Sequence, residues 1–152
     1  MRLALYQPDI PQNTGTILRM AACLNVAIDV IGPTGFDISD RSLRRAALDY
    51  LAFVDLTRHV SWEAYRAALE DETPPPRIVL LSSKAAINYL DFEFQPSDIL
   101  LLGRESAGVP DAVRDSTGAQ ISIAMRTGLR SLNIAVAAAM VLGEALRQTR
   151  IV

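Results

Sequence analysis

At 152 residues, half of them hydrophobic and 21% charged, the chain suits one globular domain and is too apolar to be disordered. The formal net charge of −2 gives no support for a general attraction to nucleic acid, so any such contact needs a local basic patch. One cysteine, Cys23, rules out an intrachain disulfide and fits a reducing compartment.

RLALY (2–6) reads as a strand, and Asn13 or Thr14 as the cap of a helix reaching about Leu24. AIDVI (27–31) is a second strand, ended by Gly32-Pro33 and Gly35. Asp40 is placed to cap a helix to about Asp49, and LAFVDL (51–56) reads as a third strand. Ser61 caps the next helix, whose buried stripe is Trp62, Tyr65 and Leu69; Pro74-Pro75-Pro76 then stops the chain. RIVLLS (77–82) and DILLLG (98–103) are continuous apolar runs, expected of strands covered on both faces. A short helix follows Pro110, QISIAM (120–125) is a sixth strand, and Ser131–Arg147 is the final helix. The alternation predicts an α/β fold with a parallel six-stranded sheet flanked by helices, one domain over 1–152. Residues 134–142 are apolar nearly all round, as in a helix deep in the monomer or packed on a second subunit; a homodimer through it is the favoured expectation.

No apolar run approaches the ~20 residues of a membrane span, and no leader pattern opens the chain, which points to a soluble cytoplasmic protein. Neither a G-x-x-x-x-G-K-[ST] nor a G-x-G-x-x-G pattern follows a strand. A lone histidine, His59, disfavours a histidine metal site or a Ser-His triad, and reads as a surface or capping residue. Cys23 reads as a small buried hydrophobe. Asn13, Arg19, Ser82, Lys84, Glu105, Arg130, Ser131 and Asn133 fall at predicted strand ends and helix starts, where α/β proteins bind ligands. By themselves these residues give a ligand-binding α/β domain and no unique reaction.

Three segments carry more. QPDIPQNTGTILRMAACLN (7–25), LLLGRESAGVP (100–110) and LRSLNIAVAAAMVLGEALR (129–147) resemble, in order, the three motifs of the SPOUT RNA ribose methyltransferases. RSLRRAALDY (41–50) and the short length resemble the YibK-like (TrmL) branch, which methylates the 2′-hydroxyl of the wobble nucleotide, cytidine or modified uridine 34, in tRNA(Leu)-type tRNAs. The resemblance implies a C-terminal deep trefoil knot, a knot-free fold being otherwise the rule. It implies S-adenosylmethionine, without a metal, held by Leu81, Ser82, Gly103, Glu105, Ile123, Met125, Ser131, Leu132 and Asn133. It also implies catalytic duties for Arg19, Asn13 and Glu105, with Arg19 better suited to clamping phosphate or a developing alkoxide than to taking a proton. Contacts to tRNA are expected from Arg41, Arg44, Arg45, Arg58 and Lys84, the first three spaced along one helical face. The chain departs from the family pattern at Arg104, Ala107, Ala135, Val136 and Gly143. Two readings compete: a sister enzyme acting on ribosomal RNA or another tRNA position, and a non-catalytic RNA- or nucleotide-binding module.

Overall fold

A computed structural model describes residues 1–37 and 41–149; the side chains of Ser42, Arg44, Ala46 and Leu48 also fall outside the described set. Among the described residues, seven parallel strands, β1 (Arg2–Tyr6), β2 (Ala27–Ile31), β3 (Leu56–His59), β4 (Ile78–Leu81), β5 (Ile87–Asn88), β6 (Ile99–Leu102) and β7 (Ala119–Ser122), form one sheet. Their order is β3-β2-β1-β6-β4-β7-β5. Strand side chains alternate between faces. Leu3, Leu5, Ile28, Val30, Val79, Leu100 and Leu102 enter one core, with Ile17 and Leu18 of α1 (Pro11–Leu24), Leu43 of α2 (Arg41–Ala47) and Val141 and Leu142 of α5 (Ile134–Thr149). Ala4, Tyr6, Ile31, Ile78, Leu80, Ile99 and Leu101 enter the other, against Tyr65 and Leu69 of α3 (Trp62–Glu70) and Val113 of α4 (Asp111–Asp115). Both faces are covered, which is why β4 and β6 are apolar at every position.

Several boundaries differ from expectation. The sheet has seven strands where six are predicted, because the two-residue β5 adds an edge beside β7. The run 51–56 is not a strand: the chain continues from α2 into a 3-10 turn, Leu48–Phe53, and β3 begins at Leu56, where the register with Ile28 sets it. Phe53 is left 76% exposed, so the apolar run had no second face to bury. The sixth predicted strand ends at Ser122, leaving Ile123 and Met125 in a loop, and the last helix starts at Ile134. Helix α1 opens at Pro11 with no side-chain cap, since Pro fits the first turn without an N–H; Asn13 and Thr14 lie inside it. Asp40 lies outside the described residues. Ser61 does cap α3, accepting from the Ala64 N–H at 3.2 Å.

Cys23 is exposed: the buried face of α1 runs through Thr14, Ile17, Leu18 and Ala21, and Cys23 lies on the solvent side with Thr16 and Arg19. His59 is no surface residue either; its Nε2 lies 3.3 Å from the buried Asp29 carboxylate and its ring meets Tyr65 edge-on. On α5, Val136 and Met140 stay 51% and 39% exposed, so the helix is not buried all round within this chain. Among the described residues no helix is long and apolar enough to cross a membrane.

Candidate active site

Beyond the C-terminal ends of β4, β6 and β7 lies a cavity of about 700 Å³, well within the range of small-molecule sites. In a parallel sheet that end collects the loops, which is where ligands bind. Three loops build it: 82–84 after β4, 103–109 after β6, and 123–133 between β7 and α5. The starts of α1, α4 and α5 close the remaining side through Ile10, Asn13, Asp111, Arg114, Ile134 and Ala137.

The loop after β6 depends on two glycines. Arg104 and Gly108 pair antiparallel, with N–H···O distances of 3.0 and 2.8 Å, folding 103–108 back on itself. A Cβ on Gly103 would stand 2.8 Å from the Gly108 carbonyl carbon and 2.9 Å from its Cα, so no side chain fits there. Gly108 turns the chain at φ +68°, a left-handed conformation that glycine adopts freely.

Polar side chains tie this loop to α1 and α5. The Glu105 carboxylate accepts from the Asp9 N–H at 3.1 Å and from Asn13 Nδ2 at 3.3 Å. Asp9 reciprocates: its carboxylate accepts from the Glu105 N–H at 3.2 Å and from the Ser106 hydroxyl. Asn13 Oδ1 accepts from Asn133 Nδ2 at 2.9 Å, and Asn133 Oδ1 caps α5 by accepting from the N–H groups of Ala135 and Val136. The hydrogen bond with Glu105 holds the Asp9 carboxyl down at about 2, while burial pushes Glu105 up. Of the pair, Glu105 is the carboxylate that lines the cavity.

Each of Leu81, Ser82, Gly103, Glu105, Ile123, Met125, Ser131, Leu132 and Asn133 lines this cavity, and so do Asn13 and Lys84. Ser82 shapes its turn by accepting from the Lys84 N–H at 3.2 Å. Leu81, Ile123 and Leu132 give apolar walls beside polar loop atoms. Arg19 is not brought to the cavity: it lies on the solvent face of α1, its guanidinium over the Tyr50 ring. Arg41, Arg45 and Arg58 are exposed and also lie away from the cavity lining; the Arg44 side chain is outside the described residues. Sequence reasoning passed over Asp9. Its only local signal is an acidic residue two places before Pro11, which reads as helix-start chemistry.

Comparison with known proteins adds to this geometry. Residues 1–143 match the model of the SpoU rRNA Methylase family. A tRNA (cytidine(34)-2'-O)-methyltransferase of Beijerinckia indica is 62% identical over 146 residues, 96% of this chain and 90% of that protein. A solved structure described as "Structural insights into the 2-OH methylation of C/U34 on tRNA" superposes with a TM-score of 0.90 at 39% identity, covering 97% of this chain and 94% of the other. The SpoU methyltransferase AviRb from Streptomyces viridochromogenes, in complex with the cofactor AdoMet, matches with a TM-score of 0.90 at 29% identity, over 97% of this chain and 60% of its own.

Proposed function

This chain belongs to the SpoU rRNA Methylase family, and from that premise we propose that it transfers a methyl group from S-adenosylmethionine to the ribose 2′-oxygen of the wobble nucleotide, position 34, of tRNA. The observation that carries the reading is the cavity at the strand ends, where three loops and three helix starts from distant parts of the chain meet. The names of the relatives at 62% and 39% identity support the substrate.

The residues fit the cofactor. Leu81, Ile123 and Leu132 suit an adenine ring, and the Glu105 carboxylate suits a cationic sulfur. When bound, S-adenosylmethionine supplies a methyl group already activated by positive sulfur, so the protein's work is mainly alignment. Asn13 and Asn133 fix the Glu105 loop against α1 and α5. Arg19 clamps a phosphate or the alkoxide that develops as the hydroxyl gives up its proton; a guanidinium stays protonated and cannot accept that proton itself. Arg41, Arg44, Arg45, Arg58 and Lys84 hold the tRNA backbone.

Because Arg19 faces solvent away from its own cavity, a site using both draws on two copies of the chain. The apolar stripe of Leu132, Val136 and Met140 at and along α5 supports a homodimer through that helix. The reading further takes the chain as a single domain with the C-terminal segment knotted, acting in the cytoplasm. Incubating the protein with labelled S-adenosylmethionine and total tRNA, then mapping the methylated nucleoside, tests it. Label at the 2′-oxygen of nucleotide 34 is expected. Label at another position, or in ribosomal RNA alone, would overturn the substrate; no label would favour a binding module.

A further inference from the structure

We propose that Tyr50 is a positioning residue for Arg19: its ring is the platform that aims the guanidinium at the RNA. This rests on the reading of Arg19 as the substrate clamp. The Arg19 Cζ lies 5.1 Å from the centroid of the Tyr50 ring, inside the roughly 6 Å reach of a cation–π contact. The two residues come from elements that pack together, α1 and the 3-10 turn Leu48–Phe53. Tyr50 is half-buried and Arg19 exposed, so the ring is anchored and the cation keeps an open side.

The choice of partner matters chemically. A carboxylate beside Arg19 would occupy the forked N–H donors that phosphate or alkoxide needs. An aromatic face attracts the guanidinium through its π-cloud and leaves the N–H edges free. It also restrains a long side chain that would otherwise sample many rotamers on an exposed helix face. The departure of residues 51–53 from the predicted strand has a function in this light: they complete the 3-10 turn that carries Tyr50 back onto α1. It also explains the last residue of the segment RSLRRAALDY (41–50), which no arginine contact with tRNA accounts for.

The test uses the full-length protein, a tRNA substrate, S-adenosylhomocysteine titrations and thermal unfolding. Tyr50→Leu should lower kcat roughly three- to tenfold, the size of an exposed to partly desolvated cation–π contact, with cofactor affinity within twofold of wild type. Tyr50→Phe keeps the ring and should keep turnover. In the Arg19→Ala background, Tyr50→Leu should cost nothing further. Progressively fluorinated phenylalanines at position 50 preserve shape while draining the ring face of charge, so kcat should fall stepwise; this series decides the matter if Tyr50→Leu folds poorly. Additive losses in the double variant, or a flat fluorination series, would overturn the proposal. If Arg19→Ala is slow while every Tyr50 variant turns over normally, the platform fails and the clamp stands. If Arg19→Ala itself turns over normally, the clamp falls, and the platform with it.

Discussion

Gly103→Ala is the sharpest probe of the site's construction. The new methyl would sit 2.8 and 2.9 Å from the Gly108 carbonyl carbon and Cα and 3.1 Å from its oxygen. All three are main-chain atoms, so relief requires moving the loop by about half an ångström to reach ordinary contact. That displacement strains the paired Arg104 and Gly108 hydrogen bonds at 3.0 and 2.8 Å. Overpacking costs about 1–3 kcal/mol, and each weakened main-chain bond adds about 0.5–1.5 kcal/mol. We take about 2–3 kcal/mol, because a loop yields more readily than a core. If the loop is rigidly coupled to the fold, Tm falls by roughly 4–12 °C. If it opens locally, Tm is spared and affinity for S-adenosylhomocysteine drops by roughly 30- to 150-fold. Calorimetric titration and thermal unfolding of one sample read both. A variant within about twofold in affinity and 1 °C in Tm would refute the close packing on which the loop argument rests. Gly108→Ala is the control: its Cβ meets nothing within 4 Å, so its cost is the left-handed φ alone, about 1–2 kcal/mol.

Arg19→Ala should bind S-adenosylhomocysteine as wild type does and lose roughly 100-fold or more in kcat, measured by methyl transfer to tRNA. Asp9→Ala removes the acceptor for the Glu105 N–H and the Ser106 hydroxyl, and should weaken cofactor affinity roughly tenfold. Asp9 titrates at about 2 when folded against an ordinary 3.8, so its contribution is present above about pH 4 and is lost as pH falls toward 2; acid unfolding curves of Asp9→Ala should lack that component. Arg77→Ala strips both guanidinium bonds, each 2.8 Å, from the fully buried Asp98 carboxylate. About 3 kcal/mol of stability should go in denaturant unfolding, near the lower end for a broken buried pair because the Gln95 N–H still serves Asp98 at 2.8 Å. Val136→Glu should shift sedimentation from dimer to monomer and abolish turnover while leaving the chain folded.

The sheet was legible because its signal is local. Five of the predicted strands lie where apolar runs do, and β4 and β6 announce double-sided burial in their composition. What failed failed for lack of local information. LAFVDL has strand composition, but the register of β3 against β2 begins at Leu56, and nothing inside the run shows which apolar residues the neighbouring strand will use. QISIAM reads as six strand residues, yet pairing with β4 ends at Ile121, and Ile123 and Met125 spend their apolar surface on a cavity wall. Asn13 is a good helix cap by type; the proline at position 11 starts the helix earlier and releases the amide for Glu105. Cavity-lining residues nevertheless followed from the family resemblance: Gly103, Glu105, Ser131, Leu132 and Asn133 lie within its motifs, and Leu81, Ser82, Ile123 and Met125 follow strands whose ends carry ligand sites in such a fold.

The site's coupling could not be read from any one motif, and its geometry says why the three belong together. Asn133 to Asn13 spans 120 positions, Asn13 to Glu105 spans 92, and Glu105 to Asp9 spans 96. The sheet order sets β6 between β1 and β4, which places the loop after β6 beside the start of α1. The loop after β6 is therefore held through Asn13, and Asn13 in turn through Asn133 at the start of the C-terminal helix. Loss of Asn133 removes the α5 cap and one anchor of Asn13 in a single step, so its effect should pass through Glu105 to the cofactor without any contact of its own having to dominate. A site assembled in this way needs the fold complete before it can bind, and a chain lacking its last helix should keep neither the cavity nor the affinity.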